Sequence, residues 1–199
     1  MSMESHSVTL SGVRARLNFN PARWGVQAYA ELGVAVALAA VLGQVRLFGM
    51  PQGGSVSLEL LPIVFIAARR GVAPALAAGA TYGLLQLILP GAFVYHPLQA
   101  FLDYPLAFAA LAVAGVVGAT GLKSLAVAVA LGQGSRFVCH FLSGLIFFAE
   151  YAPAWEAPWL YAITYNLLYL VPEALLTWVL LWPLLKAYDA AFPGVRAPR

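Results

Sequence analysis

Four polar side chains lie inside apolar stretches of the sequence, where a charge is costly. Asp103 belongs to the stretch HPLQAFLDYP, His140 lies in the next long apolar run, and Tyr161 and Asn166 lie in the last one. A charge at the centre of a membrane helix costs roughly 2.5–3.5 kcal/mol on insertion scales, so it usually faces a bundle interior or a wet cavity. Together these groups offer mixed hydrogen-bond donors and acceptors, which suits a small polar or cationic solute.

Aromatic residues near these positions narrow the class of solute further. Tyr104, Phe148 and Trp159 offer ring faces close to the polar cluster. A ring face attracts a cation and stacks on a flat ring. The residue types therefore favour a flat heteroaromatic solute that carries a positive charge.

The composition is typical of an integral membrane protein. Of 199 residues, 62% are hydrophobic and 10% are charged, whereas soluble domains are about 45–50% apolar and about 25% charged. The length allows one compact bundle without a separate soluble domain. One cysteine, Cys139, cannot form a disulfide within the chain. The basic residues fall at the ends and between apolar runs, so we interpret them as topology signals and expect no nucleic-acid partner.

Six apolar runs predict an all-α integral membrane protein, a bundle of six transmembrane helices, since about 20 residues cross about 30 Å of hydrocarbon. The second run is short for a full crossing. Residues 1–22 are expected to form a cytoplasmic arm, 23–188 the membrane domain and 189–199 a cytoplasmic tail. The predicted spans are 25–45, 58–68, 72–89, 98–117, 125–148 and 160–185.

The distribution of charge predicts the orientation of the bundle. Six spans place both termini on one side, and Arg69, Arg70 and Lys123 fall on that same side. The opposite loops carry mainly acidic residues, with Arg46 as the exception. Because cytoplasmic loops are rich in Lys and Arg, both termini are predicted to be cytoplasmic, in a multi-pass protein of the cell membrane.

This topology gathers the polar residues in the outer half of the bilayer. Asp103 lies about five residues inside its span, a depth of about 7–8 Å at 1.5 Å per residue. His140 lies about eight residues from the outer end of its span, with Arg136 one turn away on the same face. Tyr161 and Asn166 enter from the outer end of the last span. Three predicted helices thus contribute to one site.

Structural interpretations of the same residues stay open. Asp103 could pair with Arg136 or His140 without any ligand, and Asn166 could form a hydrogen bond between helices. Phe148 could be a packing residue. The chain has no G-x-x-x-x-G-K-[ST] or H-E-x-x-H motif, so we expect neither ATP hydrolysis by the chain itself nor a metal site.

Several stretches resemble the thiamine-specific substrate-binding subunits, or S-components, of energy-coupling factor (ECF) transporters. The resemblance covers about residues 25–188 and rests on five linked stretches. These are MPQGGSVSLELLPI (50–63), RRG (69–71), HPLQAFLDYPLAF (96–108), HFLSGLIFFAEYAP (140–153) and Y-x-x-x-Y-N-x-x-Y-x-x-P-E (161–173).

The resemblance implies a membrane protein without enzymatic activity that binds thiamine near the outer face and is capped by the loop after the first span. Loops 47–57 and 149–159 are expected to gate the site. Transport would be driven by a transmembrane coupling protein and two cytoplasmic ATPases, so the chain itself needs no cofactor and ATP is used by the partners.

The resemblance also assigns roles to individual residues. The small pair Gly33 and Ala37 on the first span corresponds to the face that docks the coupling protein, although such a pair also suits internal helix packing. Phe148 takes the place of a stacking Trp in some relatives. With Trp159 added as an enclosing ring, the expected ligand-binding residues are Asp103, Tyr104, Arg136, His140, Phe148, Trp159, Tyr161 and Asn166.

Three other functions compete with this one. A self-sufficient proton- or cation-coupled carrier would use Asp103 and Glu173 as titrating groups. An intramembrane enzyme would use His140 and Asp103 as acid and base. A structural subunit with a polar core would bind no ligand.

Overall fold

Six helices and one short hairpin form the architecture of the computed structural model, which describes residues 16, 17 and 19–193. The rest of the predicted arm and tail, residues 1–15, 18 and 194–199, lies outside the described residues. The hairpin joins strands β1 (Phe48–Gly49) and β2 (Ser55–Val56), which pair antiparallel. The helices are α1 (Gly25–Gln44), α2 (Leu60–Arg70), α3 (Val72–Gln86), α4 (Pro97–Val116), α5 (Leu122–Phe147) and α6 (Pro158–Ala191).

Each predicted span corresponds to one helix, with ends shifted by a few residues. Within the described part of the chain, α1, α4, α5 and α6 are long and apolar enough to cross a membrane. Helices α2 and α3 have 11 and 15 residues, which at 1.5 Å per residue gives about 17 and 23 Å. The expectation of a mostly helical membrane protein is thus confirmed, with four candidate spans and two shorter helices.

Helix α2 lies at the centre of the packing. Eight of its 11 residues are buried, and Leu60 and Ile63 are fully enclosed by the surrounding helices. Gly71 ends α2 with φ +88°, a left-handed conformation that glycine adopts without a Cβ penalty. The chain therefore turns sharply into α3, and α2 and α3 lie side by side.

Helix α4 is irregular where it carries the predicted site. Its segment Leu102–Leu106 is a π-turn, and the turn contains Pro105. Proline has no N–H to donate and disturbs the α-helical ladder, and π-turns occur often at functional sites. Asp103 and Tyr104 both lie in this π-turn.

Glycines allow α3 and α4 to approach to backbone contact. A Cβ on Gly79 would lie 2.2 Å from the carbonyl oxygen of Phe108, and one on Gly83 would lie 2.5 Å from that of Tyr104. Small residues at helix interfaces in membranes permit such close approach. The close approach of α4, and of the π-turn within it, therefore requires a residue without a side chain at Gly79 and at Gly83 of α3.

Ion pairs join three helices at the far end of the bundle from the hairpin. The guanidinium of Arg70 donates to both carboxylate oxygens of Glu31 at 2.6 Å, and the Tyr188 hydroxyl donates to the same carboxylate at 2.7 Å. Arg69 pairs with Asp189. These contacts therefore connect α1, α2 and α6. Because the Arg70–Glu31 pair has two parallel hydrogen bonds, it fixes the relative orientation of the two side chains as well as pairing their charges.

We expect the substitution Gly79→Ala to destabilise the protein, because its Cβ meets the backbone of α4. Overpacking of this kind costs about 1–3 kcal/mol. Gly134→Ala is the matched control: it lies in the middle of α5 with nothing within 4 Å of its Cβ, so the better helix propensity of alanine leaves stability unchanged or raised. Thermal unfolding in detergent measures both, and a Gly79→Ala variant as stable as the parent would contradict the packing argument.

Candidate functional site

A cavity opens at the end of the bundle where the hairpin joins α1 to α2. The cavity holds about 940 Å³ when the open solvent at its mouth is included. The hairpin lines one side through residues 52–55, and the loop 90–93 lines another. The side chains from α4, from α5 with the residue Phe148 that follows it, and from α6 are Gln99, Asp103, Tyr104, Phe108, Arg136, His140, Ser143, Phe148, Tyr161, Ala162, Tyr165, Asn166 and Tyr169.

The structure brings together seven of the eight residues expected to bind the ligand. Trp159 is not among the lining residues and is 54% exposed. It is the second residue of α6, whereas the lining residues of that helix begin at Tyr161. The expectation that Trp159 encloses the ligand therefore finds no support in this arrangement. The seven that line the cavity are Asp103, Tyr104, Arg136, His140, Phe148, Tyr161 and Asn166.

Asp103 is the centre of a hydrogen-bond network on the cavity wall. Its Oδ2 accepts from Gln99 Nε2 at 2.7 Å and from Ser143 Oγ at 2.8 Å, and its Oδ1 lies 2.9 Å from His140 Nδ1. Three donors stabilise the ionised carboxylate in a place where an isolated charge would be very costly. The predicted alternative that Asp103 pairs with His140 is thus seen in the structure, whereas Arg136 has other partners.

His140 has one ring nitrogen without a hydrogen-bond partner among the described residues. A carboxylate can only accept, so with Asp103 ionised, Nδ1 of His140 carries the hydrogen of the 2.9 Å contact. The other nitrogen, Nε2, is buried and has no hydrogen-bond partner among the described residues. The carboxylate thereby fixes the orientation of the imidazole, and Nε2 is available for a further hydrogen bond.

Asn166 is held by its own helix. Its Nδ2 donates to the carbonyl oxygen of Ala162 at 2.7 Å, and its Oδ1 accepts from the Tyr169 hydroxyl at 2.8 Å. The alternative that Asn166 forms a hydrogen bond between helices is not what the structure shows. An amide has two N–H donors and two lone pairs, so each end retains capacity for another bond towards the cavity.

A buried charge triad lies at the base of the cavity. Arg136 donates to Glu173 at 2.8 Å and contacts Glu59 at 3.5 Å, and all three side chains are at most 5% exposed. The guanidinium also lies over the ring of Phe108, 4.5 Å from its centroid. Burial of charges is tolerated when they are paired and hydrogen-bonded. Arg136, expected as a ligand residue, therefore has a structural role whether or not it also meets a ligand.

Further donors complete the coordination of the two glutamates. Tyr82 and Gln86 on α3 each donate to Glu59 Oε2 at 2.6 Å. The backbone N–H of Ser57, just after the hairpin, donates to Glu173 Oε1 at 3.1 Å. The triad therefore joins the hairpin to helices α2, α3, α5 and α6.

Carboxyl groups outnumber guanidinium groups among the buried side chains of the site. Asp103, Glu59 and Glu173 are accompanied by one buried guanidinium among the described residues of the site, that of Arg136, which contacts the two glutamates. Arg46 also lines the cavity, but it is exposed and donates to the Gly91 carbonyl at 3.1 Å. A pocket with excess negative charge and low-dielectric walls concentrates cations.

Aromatic rings form two walls of the cavity. Phe148 contacts Phe93 with ring centroids 6.0 Å apart. On α6, successive rings follow every fourth residue, with centroid distances of 5.8 Å from Tyr161 to Tyr165 and 6.1 Å from Tyr165 to Tyr169. These walls offer ring faces and edges to a flat or cationic ligand.

Tyr104 braces the loop at the mouth. Its hydroxyl accepts from the backbone N–H of Phe93 at 2.6 Å and donates to the Phe93 carbonyl at 3.2 Å. Both polar contacts of this hydroxyl thus go to the loop 90–93. What Tyr104 offers a ligand in this conformation is the ring more than the hydroxyl.

Several lining residues escaped the sequence analysis. The loop 90–93, Gln99 and Glu59 were not expected at the site, whereas the expected second gate, residues 149–159, contributes no lining residue. Tyr165 and Tyr169 carried a signal, because they follow Tyr161 at helical spacing of four. Gln99 also lies four residues before Asp103 on the same helix, whereas no comparable local pattern marks Glu59, whose position depends on the packing of distant helices.

Comparison with known proteins identifies relatives that span most of the chain. A family model described as "Thiamine transporter protein" matches residues 29–193. The thiamine transporter ThiT of Bacillus subtilis is 35% identical over 165 residues, which covers 76% of this chain and 86% of that protein. ThiT of Lacticaseibacillus paracasei is 33% identical over 122 residues, 54% of this chain and 61% of that protein. These relatives are transporters, in keeping with the expectation that the chain is not an enzyme.

The fold agrees with a solved relative. A structure of ThiT from Listeria monocytogenes matches with a TM-score of 0.73 and 28% sequence identity, covering 84% of this chain and 97% of that one. By the family model and by its similarity to the Bacillus protein, the chain belongs to the thiamine transporter protein family.

Proposed function

We propose that the chain is the substrate-binding S-component of an ECF-type transporter and that thiamine binds in the cavity beneath the hairpin. Thiamine joins a positively charged thiazolium ring to an aminopyrimidine ring. The observation that carries the proposal is the Asp103–His140 pair at the cavity of a chain from the thiamine transporter family. A membrane-buried carboxylate with one exposed edge marks a binding site by default.

The charge balance supports a cationic ligand. Asp103 is only partly buried, with 15% of its side chain exposed, so a cation in the cavity reaches it directly. The excess of carboxylates over guanidinium groups at the base adds to the attraction. A hydrogen-bonded carboxylate that meets a cation in a low-dielectric site supplies both affinity and selectivity over neutral analogues.

The polar and aromatic groups suit the two rings of thiamine. The unpartnered Nε2 of His140 and the remaining hydrogen-bonding capacity of the Asn166 amide could serve an aminopyrimidine bound against these lining residues. Phe148 and Tyr161 supply ring faces and edges for stacking. We assign ligand contacts to Asp103, His140, Asn166, Phe148, Tyr161 and the ring of Tyr104.

We further propose that all six helices cross the bilayer, with both termini cytoplasmic and the cavity facing outside. Arg69 and Arg70 end α2 at the side opposite the cavity, and Lys123 begins α5 on that side. A basic inner face follows the positive-inside rule. The short helices α2 and α3 cross with the help of their flanking residues.

A transmembrane coupling protein and two cytoplasmic ATPases complete the proposed transporter. Gly33 and Ala37 lie on the exposed side of α1, and a Cβ on Gly33 would meet nothing within 4 Å. A face of small residues allows close approach of a partner helix. The chain lacks a phosphate-binding loop, so its partners supply the energy from ATP.

A self-sufficient proton-coupled carrier is less well supported. Its second titrating group would be Glu173, whose side chain is 0% exposed and bonds Arg136 and Ser57. A carrier needs a group that exchanges protons with solvent during the cycle. We therefore favour a transporter that is driven by partner ATPases over a self-sufficient carrier.

Titration of the detergent-purified protein with thiamine should produce saturable quenching of tryptophan fluorescence. The expected affinity lies in the nanomolar to low micromolar range, corresponding to about 8–12 kcal/mol. Biotin and riboflavin serve as controls and should give no saturable signal. No response in folded protein freed of bound ligand would refute thiamine as the ligand.

The substitution Asp103→Asn should weaken thiamine binding by about tenfold or more, equivalent to at least about 1.4 kcal/mol, because it removes the charge but keeps the shape. Glu150→Gln is the matched control, since it removes one carboxylate from an exposed loop position outside the cavity. Calorimetric titration measures both variants. Unchanged affinity in folded Asp103→Asn protein would show that the site is wrongly assigned.

Uptake in liposomes should require the partner module. The chain alone, under an inward proton gradient, is expected to accumulate no thiamine, whereas the chain with its coupling protein, ATPases and ATP should do so.

Gly33→Leu should reduce this uptake and leave thiamine affinity intact, because it fills the docking face. Gly134→Leu, at an open position on α5, is the control. Gradient-driven uptake by the chain alone would establish the carrier instead.

A further inference from the structure

The hairpin over the cavity is a self-contained unit, which we call the lid (residues 48–56). Its strands pair between Phe48 and Val56, and Met50 N–H donates to the Gly54 carbonyl at 2.7 Å. The tip turns through Gln52 and Gly53, both with positive φ. Because the hydrogen bonds between its two strands are internal, the lid can move as one piece without losing them.

The lid meets the bundle at its base and at its tip. At the base, Ser57 donates to Glu173 of the buried triad. At the tip, both hydrogen bonds that the described residues show between lid and bundle involve the hydroxyl of Tyr165. This hydroxyl accepts from the backbone N–H of Gly54 at 3.2 Å and donates to the carbonyl oxygen of Pro51.

Close packing reinforces the contact at the tip. A Cβ on Gly54 would lie 2.8 Å from the Tyr165 hydroxyl and 3.1 Å from the ring of Tyr169. Only a residue without a side chain lets the lid backbone come this near. Gly54, the second residue of the Gly53-Gly54 pair, thus allows the lid to pack directly against Tyr165 and Tyr169 of α6.

We propose that Tyr165 is a latch, a positioning residue whose hydroxyl holds the lid shut over the cavity. Both latch bonds join protein groups to each other, so they form with or without a ligand. The base contact at Ser57 is more deeply buried and acts as the hinge. The latch therefore sets how often the cavity opens.

This role predicts a kinetic signature that a ligand contact would not give. If ligand passes only when the lid is open, the observed association and dissociation rates both scale with the open population. Removal of the latch raises both rates and leaves the dissociation constant nearly unchanged. Loss of a direct hydrogen bond to the ligand would raise the dissociation rate alone.

The variant Tyr165→Phe keeps the ring and removes the hydroxyl. Loss of one typical hydrogen bond should raise the open population of the lid about three- to tenfold. We therefore expect the association and dissociation rates of thiamine, followed by stopped-flow fluorescence, to rise by the same factor. Amide hydrogen exchange in the peptide that covers the lid should also become faster in ligand-free protein. Tyr95→Phe is the control, because Tyr95 is an exposed tyrosine next to the mouth that does not line the cavity.

Gly54→Ala tests the same contact from the lid side. Its Cβ pushes the tip away from Tyr165, so lid amides should again exchange faster. Unchanged lid exchange in both variants would overturn the latch, as would a rise in the dissociation rate alone. The kinetic arm rests on the proposed function, whereas the exchange arm does not. Faster lid exchange in a protein that fails to bind thiamine would keep the latch and refute only the ligand.

Discussion

The rest of the structure depends on one constraint: three carboxylates must stay charged or hydrogen-bonded inside an apolar bundle. The cost of desolvating each ion is several kcal/mol, and attraction offsets it only with good geometry and satisfied lone pairs. Arg136 pairs with two of these carboxylates, those of Glu59 and Glu173. Asp103 has three hydrogen-bond partners: an amide, a hydroxyl and an imidazole. The helices are therefore held in place by polar contacts as much as by apolar packing.

This constraint links the fold of a multi-pass plasma membrane protein to its site. Donors to the triad come from α3 and from the residue that follows the lid, so the base of the cavity forms only when these segments are assembled. Glycines on α3 bring α4 close enough to present Asp103. Stability and ligand recognition thus draw on the same buried contacts.

The sequence allowed prediction of much of this arrangement. Apolar runs located all six helices, and the depth of Asp103 and His140 along their helices placed them together, as the 2.9 Å contact confirms. The partners of Arg136, Glu59 and Glu173, were not predicted, because these side chains meet only once α2, α5 and α6 are packed together. Loop 47–57 was expected at the site, but the strand pairing within it and the contribution of the loop 90–93 escaped prediction, because turn-rich segments show no periodicity from which a fold can be inferred.

The π-turn in α4 has a consequence for the spacing of its side chains. On a regular α-helix of 3.6 residues per turn, Asp103 and Phe108 would point about 140° apart. A π-turn accommodates one extra residue, so the effective separation is four positions and the angle falls to about 40°. Gln99, Asp103 and Phe108 can therefore all line one cavity. The number of residues in this turn, and not only their identity, therefore determines which side chains of α4 line the cavity. Deleting one residue would rotate the side chains that follow about the helix axis and change that set.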